Sequence, residues 1–188
     1  MWNTATRKEL VVCTAGKLTS YDPSTGVEPW TLSGIPSSFS ASPVADREHV
    51  YFGNSGPFSH GPLLAVRAGN SGESNLVPEM ETPGVAWSKL KSGPGMASPV
   101  LTAGCLYVPG SGRILTCCDT ATGECIDRDR LPEAGTIASL LWACGDHSFI
   151  LDRTREFMSE APAPHSGPVQ NPAAHTESEP LPGAVPGG

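Results

Sequence analysis

The tetrapeptide Ala41-Ser42-Pro43-Val44 returns as Ala97-Ser98-Pro99-Val100, and a degraded copy stands at Ala138-Ser139-Leu140-Leu141. Recurrence of this kind narrows the fold more than any other feature, because each repeat is one small unit that buries its apolar faces against its neighbours. The copies start 56 and 41 residues apart, and the longer interval holds a Gly- and Ser-rich insertion around Gly69 to Pro83. After each copy come a polar turn and a short β-rich run: His49-Val50-Tyr51-Phe52-Gly53, Cys105-Leu106-Tyr107-Val108-Pro109 and His147-Ser148-Phe149-Ile150-Leu151. A second unit recurs as Gly16 to Asp22, Gly61 to Arg67 and Gly112 to Asp119.

Each repeat therefore reads as short strands joined by turns, the last strand ending near Trp30, Trp87 or Arg128. The 21 Gly and 19 Pro among 188 residues interrupt the chain too often for long helices, since Gly raises the entropy cost of ordering and Pro removes a donor. Strands of four to six residues between Gly, Pro and Asp turns predict an all-β fold. A period of roughly 40 residues with four short strands is that of a β-propeller blade. A sandwich would not require the same tetrapeptide to return. Residues 9–156 are expected to form the repeat region, with blades at 9–36, 37–92, 93–133 and an incomplete one at 134–156. That is about three to four blades, against the typical four to eight of a closed ring, so the expectation is a partial propeller. Residues 157–188 are rich in Pro and poor in large apolar side chains, the composition of a disordered tail.

The formal net charge of −7 argues against a nucleic-acid partner, which clustered Lys and Arg would hold. No apolar run approaches 18 residues, so no membrane span is expected. The N-terminus has no apolar core of a secretory signal, which makes the chain cytoplasmic as written and leaves export of full-length relatives open. The cysteines at 13, 105, 117, 118, 125 and 144 form no C-x-x-C pair. Most sit in apolar strands, where a reduced Cys acts as a small hydrophobe.

The best-formed motif is Ser20-Tyr21-Asp22-Pro23-Ser24-Thr25-Gly26-Val27-Glu28-Pro29-Trp30. The Asp22 carboxylate can cap the turn, Pro23 presets φ, Gly26 supplies a positive φ, and Trp30 offers a wide flat surface. The pattern resembles the tryptophan-docking motif of the PQQ-like (quinoprotein alcohol dehydrogenase-like) β-propeller repeats, at Ser20, Asp22, Thr25, Gly26 and Trp30. The resemblance implies a Trp stacked between neighbouring blades. A second copy keeps Asp119, Thr122 and Gly123, with Asp127 where the Trp belongs. In the middle repeat Arg67 replaces the Asp, and Trp87 arrives late, after the insertion.

Enzymes of that superfamily hold pyrroloquinoline quinone and Ca²⁺ on the propeller axis and carry a disulfide between adjacent cysteines, a comparison that Cys117-Cys118 invites. The simpler reading of these two is successive positions of the strand Ile114 to Asp119, facing opposite ways. No set of Asp, Glu and Asn matches the calcium site, and no cofactor, metal site or catalytic residue is expected. Gly56 to Leu63 has P-loop glycine spacing without the Lys-Ser/Thr that holds phosphate and reads as a long loop between strands. The scattered histidines 49, 60, 147, 165 and 175 suggest no metal site. The alternating charges Asp127-Arg128-Asp129-Arg130 read as a solvated edge strand.

The expected function is that of a non-catalytic PQQ-like repeat protein, a fragment or divergent short form, acting as a protein-interaction scaffold. Its partner is an unknown protein, and open blade edges allow self-association. The nearest functional analogues implied by the resemblance are the propeller lipoproteins of outer-membrane β-barrel assembly. The alternatives are a fragment of a PQQ- and Ca²⁺-dependent quinoprotein dehydrogenase and a non-functional truncated product.

Overall fold

The computed structural model of the protein describes residues 1–130, apart from positions 15, 36–40, 57–58, 78–79, 95–96, 103 and 111–113, and beyond them the strand backbones at 141–144, 147–151 and 157–160. Side chains are described up to residue 130, outside 54–60. The described residues contain strands and turns and no helix.

Among the described residues, four sheets, antiparallel but for one strand pair, follow one another. The first runs β1 (Trp2–Asn3), β2 (Lys8–Thr14), β3 (Lys17–Tyr21) and β4 (Trp30–Ser33). The second is built from β5 (Val44–Ala45), β6 (His49–Gly56), β7 (Ser59–Arg67) and β9 (Val85–Lys89). Between its last two strands, the insertion supplies β8 (Gly72–Asn75), which leaves the second sheet and pairs in parallel with β4 of the first. The third sheet orders β10 (Val100–Thr102), β11 (Cys105–Pro109), β12 (Ile114–Asp119) and β13 (Cys125–Arg130). The fourth contains β14 (Leu141–Cys144), β15 (His147–Leu151) and β16 (Phe157–Glu160). Each Ser-Pro-Val copy runs into the first strand of a sheet, and β10 lies against both β5 and β14. The first strands of the second, third and fourth sheets therefore stand side by side.

Three sequence expectations are corrected. The first sheet begins at Trp2 rather than at Glu9, because Trp2 and Asn3 pair with Glu9 and Lys8. The fourth sheet extends to Glu160, so β16 occupies the start of the stretch assigned to the tail; residues 161–188 lie outside the described residues. Gly56 to Leu63 is no long loop: Gly56 pairs with Ser59, Ser55 with His60 and Gly53 with Leu63, which makes a tight hairpin with one bulge.

The middle sheets are buried on both faces, and the two-residue period of a strand divides their side chains. Val50, Phe52, Leu64 and Val66 join Trp2, Leu18, Trp30 and Leu32 of the first sheet in one core. Tyr51, Leu63 and Ala65 face the other way and pack with Trp87, Leu106, Val108 and Cys118. Two-sided burial explains the unbroken apolar run Leu63-Leu64-Ala65-Val66, every residue of which is fully buried. A third cluster of Ala97, Tyr107, Leu115 and Cys117 lies on the face of the third sheet turned away from the second.

Candidate functional site

Two turns of the same sequence type close the third and fourth strands of the first and third sheets. In the first, Asp22 Oδ1 accepts the amides of Ser24 (2.7 Å) and Thr25 (3.1 Å), while the Gly26 amide donates to Asp22 O. In the second, Asp119 Oδ1 accepts the amides of Ala121 (3.0 Å) and Thr122 (2.8 Å) and the Thr122 hydroxyl (2.9 Å). The Gly123 amide donates to Asp119 O in the same way. Gly26 and Gly123 both take a positive φ, 75° and 70°, which Gly adopts without a Cβ penalty. The Thr122 hydroxyl and the backbone amides hold the Asp119 carboxyl below the ordinary carboxylate range.

What lies on the two turns differs. Trp87, from the second sheet, donates its indole N–H to Thr120 O at 2.9 Å. A Cβ at Gly123 would stand 2.6 Å from its ring, so only Gly lets the indole approach this closely. Lys89 on the same strand forms an ion pair with Glu124. At Gly26 a Cβ would meet nothing within 4 Å. Trp87 thus sits on the turn of the next sheet, although its own repeat departs furthest from the motif.

Trp30 is buried between the first and second sheets, at 1% exposure. Its indole N–H donates to Glu9 Oε2 at 2.7 Å, a partner in its own sheet. Glu9 is fully buried, and a buried carboxylate without partners would cost several kcal/mol. Ser20 Oγ donates to Oε2 (2.6 Å), and Arg7 Nε binds Oε1 (2.7 Å). The Arg7 guanidinium also reaches Asn70 O in the insertion at 2.6 Å. Ser20 of the sequence motif thus serves Glu9, a residue the sequence reading did not single out. The available signal was an acidic residue placed two strands from Trp30 with Ser20 between.

A further tie joins the repeats directly: the Ser42 amide donates to Ser98 Oγ at 2.8 Å, linking equivalent residues of two Ala-Ser-Pro-Val copies. Beside it, Asp46 accepts the Tyr51 hydroxyl (2.7 Å) and the amides of Glu48 and His49. Burial opposes ionisation of Asp46, yet these bonds prevail and keep its carboxyl low; the Tyr51 hydroxyl is pushed up by its own burial and by Asp46.

Cys117 and Cys118 are free thiols on opposite faces of β12, in separate apolar clusters. Burial pushes them up to about 12 and about 11. β13 is exposed at every residue, including Asp127, which follows Gly123 at the spacing by which Trp30 follows Gly26. Among the described residues, no group of three His, Cys, Asp or Glu side chains is arranged to hold a metal ion. Among the same residues no helix is long and apolar enough to cross a membrane.

No family model matches the chain, and no curated protein does. Among solved structures it is similar to BamB from Moraxella catarrhalis, with a TM-score of 0.61 and 18% identity over 84% of this chain. The chain spans 47% of the length of that protein. The likeness concerns the fold: the successive sheets are blades of a partial β-propeller.

Proposed function

We propose that this chain is a non-catalytic scaffold of PQQ-like propeller blades, which presents its loops and edges to a protein partner. The observation that supports this reading best is the seating of Trp87 on the Asp119–Gly123 turn, a contact whose product is a fixed blade-to-blade angle. In this reading Asp119, Thr122 and Gly123 form the receiving turn. Ser20 and Trp30 hold the first blade through Glu9, and Asp22, Thr25 and Gly26 shape a turn of the same kind that is open to a neighbour. Large apolar side chains left exposed, among them Leu10, Leu90 and Ile126, are where a partner would gain contact area.

Photo-crosslinkers placed singly at Leu10, Leu90 and Ile126 of the full chain test the reading in cells. A discrete protein crosslinked at one of these positions, and not from a buried control position such as Leu64, is the expected result. Adducts spread evenly over all positions would count against a scaffold. Titration with pyrroloquinoline quinone and Ca²⁺ tests the absence of catalysis: tryptophan fluorescence should stay flat, and saturable quenching would replace the scaffold with a quinoprotein.

A further inference from the structure

The third blade holds four of the cysteines, and strand register sorts them. Cys118 in β12 and Cys125 in β13 are cross-strand partners, next to a bulge that shifts the register between Cys117 and Cys118. Such partners have Cα atoms about 4.5–5.5 Å apart, inside the ~4.4–6.8 Å that a disulfide spans. Both are free thiols. Cys105 and Cys117 stand differently: Cys105 pairs with Asp119 and Cys117 with Tyr107. Their side chains are in hydrogen-bond contact, but that diagonal places their Cα atoms about 7–8 Å apart, at or past the limit for bridging without backbone movement.

The residues between Cys118 and Cys125 are the turn Asp119 to Glu124, on which Trp87 rests. A bond between the two sulfurs would close a small ring around that turn and fasten the otherwise exposed β13 to β12. We propose that Cys118 and Cys125 form a reversible disulfide clasp around the docking turn, made by exchange with a small-molecule disulfide.

The two thiols differ in access, and this orders the steps. Cys125 is exposed, whereas Cys118 is packed against Trp87, Leu106 and Val108. Burial pushes the Cys118 thiol up to about 11, and the neighbouring Cys125 adds to the rise, so Cys118 is the slower nucleophile. The Cys125 thiolate attacks the external disulfide, forms a mixed disulfide and releases one small thiolate. Cys118 then loses its proton to solvent, its sulfur attacks that of Cys125, and the second small thiolate leaves. Two cysteine thiols are oxidised to one disulfide while one external disulfide is reduced to two thiols.

The test equilibrates the folded full chain with oxidised and reduced glutathione, blocks remaining thiols with N-ethylmaleimide, and cleaves after Glu124, which parts the two cysteines. The expected product is a linked pair of peptides, lighter by two hydrogen atoms, joined through Cys118 and Cys125 on fragmentation and separated by dithiothreitol. The thermal midpoint should rise on oxidation of the native sequence and stay put in Cys125→Ser, an exposed position where the fold tolerates the change. A Cys125 that stops at the glutathione adduct, or a bond joining any other pair, overturns the proposal. So does a midpoint that shifts equally in Cys125→Ser.

Discussion

Trp30 and Trp87 stand on the outer strands of the first and second blades, and each turns its indole N–H to a different kind of acceptor. Trp30 meets the buried carboxylate of Glu9 within its own blade, and Arg7 carries that node on to Asn70 in the insertion. The same insertion lays β8 along β4, so the first junction gains a shared strand besides its large apolar core. Trp87 instead meets a backbone carbonyl of the next blade, over a glycine that makes room for the ring. The second junction has a smaller core around Tyr51 and Leu106, and relies on this contact and on the Ser42–Ser98 bond. The turns at Asp22 and Asp119 nevertheless have nearly the same bonds. Turn shape is thus set locally by the Asp-Thr-Gly pattern, while docking depends on whether a preceding blade delivers a tryptophan.

The first junction should fail hardest. Trp30→Ala removes a side chain at 1% exposure and leaves a cavity, for a loss of about 3–5 kcal/mol. A fall in the urea midpoint with unchanged slope is the readout; a loss under about 1 kcal/mol would mean that this core is not the main support. Trp30→Phe keeps most of the apolar area and removes one donor from the Glu9 carboxylate, worth about 1.5–3 kcal/mol for a charged acceptor. The matching change Trp87→Phe removes a bond to a neutral carbonyl and should cost about 0.5–1.5 kcal/mol. Equal losses in the two Phe variants, measured in one urea series, would erase the distinction between the junctions.

The smallest effect concerns acid. Because the Asp119 carboxyl lies below its ordinary range, its stabilising contribution is present above the unfolded value of about 3.9. It is lost as pH falls through the lower folded value. The turn is open to water, so the effect is small. The native chain should therefore lose stability more steeply below about pH 4 than Asp119→Asn. Asp46, which is depressed too, titrates in both. Parallel acid profiles would show that the receiving turn draws nothing from its charge.

The blades were legible because the signals are local and repeated. Ser-Pro-Val leads into the first strands of the second and third sheets, Val50-Tyr51-Phe52 and Leu106-Tyr107-Val108 are β-rich, and Asp-Thr-Gly fixes a turn whatever lies beyond it. Other features depend on contacts far apart in sequence. Gly72–Asn75 is polar and has no strand pattern, and becomes β8 only because β4 offers it an edge. Two residues, Trp2 and Asn3, are too few to show a period. Glu9 belongs to no motif of the sequence and was not singled out. Its burial makes sense only once Arg7, Ser20 and Trp30 converge on it. Trp87 was displaced by the insertion, so spacing alone pointed away from a tryptophan that rests on a neighbouring turn, as Trp2 does on the second sheet through its indole bond to Asp46 O.

The central claim is that the turn at Gly123, unlike that at Gly26, carries a neighbouring blade. Alanine at either glycine meets the same backbone strain, about 1–2 kcal/mol at a positive φ. Only Gly123→Ala also forces a methyl group against Trp87, whose ring lies 2.6 Å from the Cβ position. Side-by-side urea unfolding with tryptophan emission should show Gly123→Ala losing about 1–3 kcal/mol more than Gly26→Ala, with shifted native-state emission in that variant alone. Equal losses with unchanged emission in both would contradict the account.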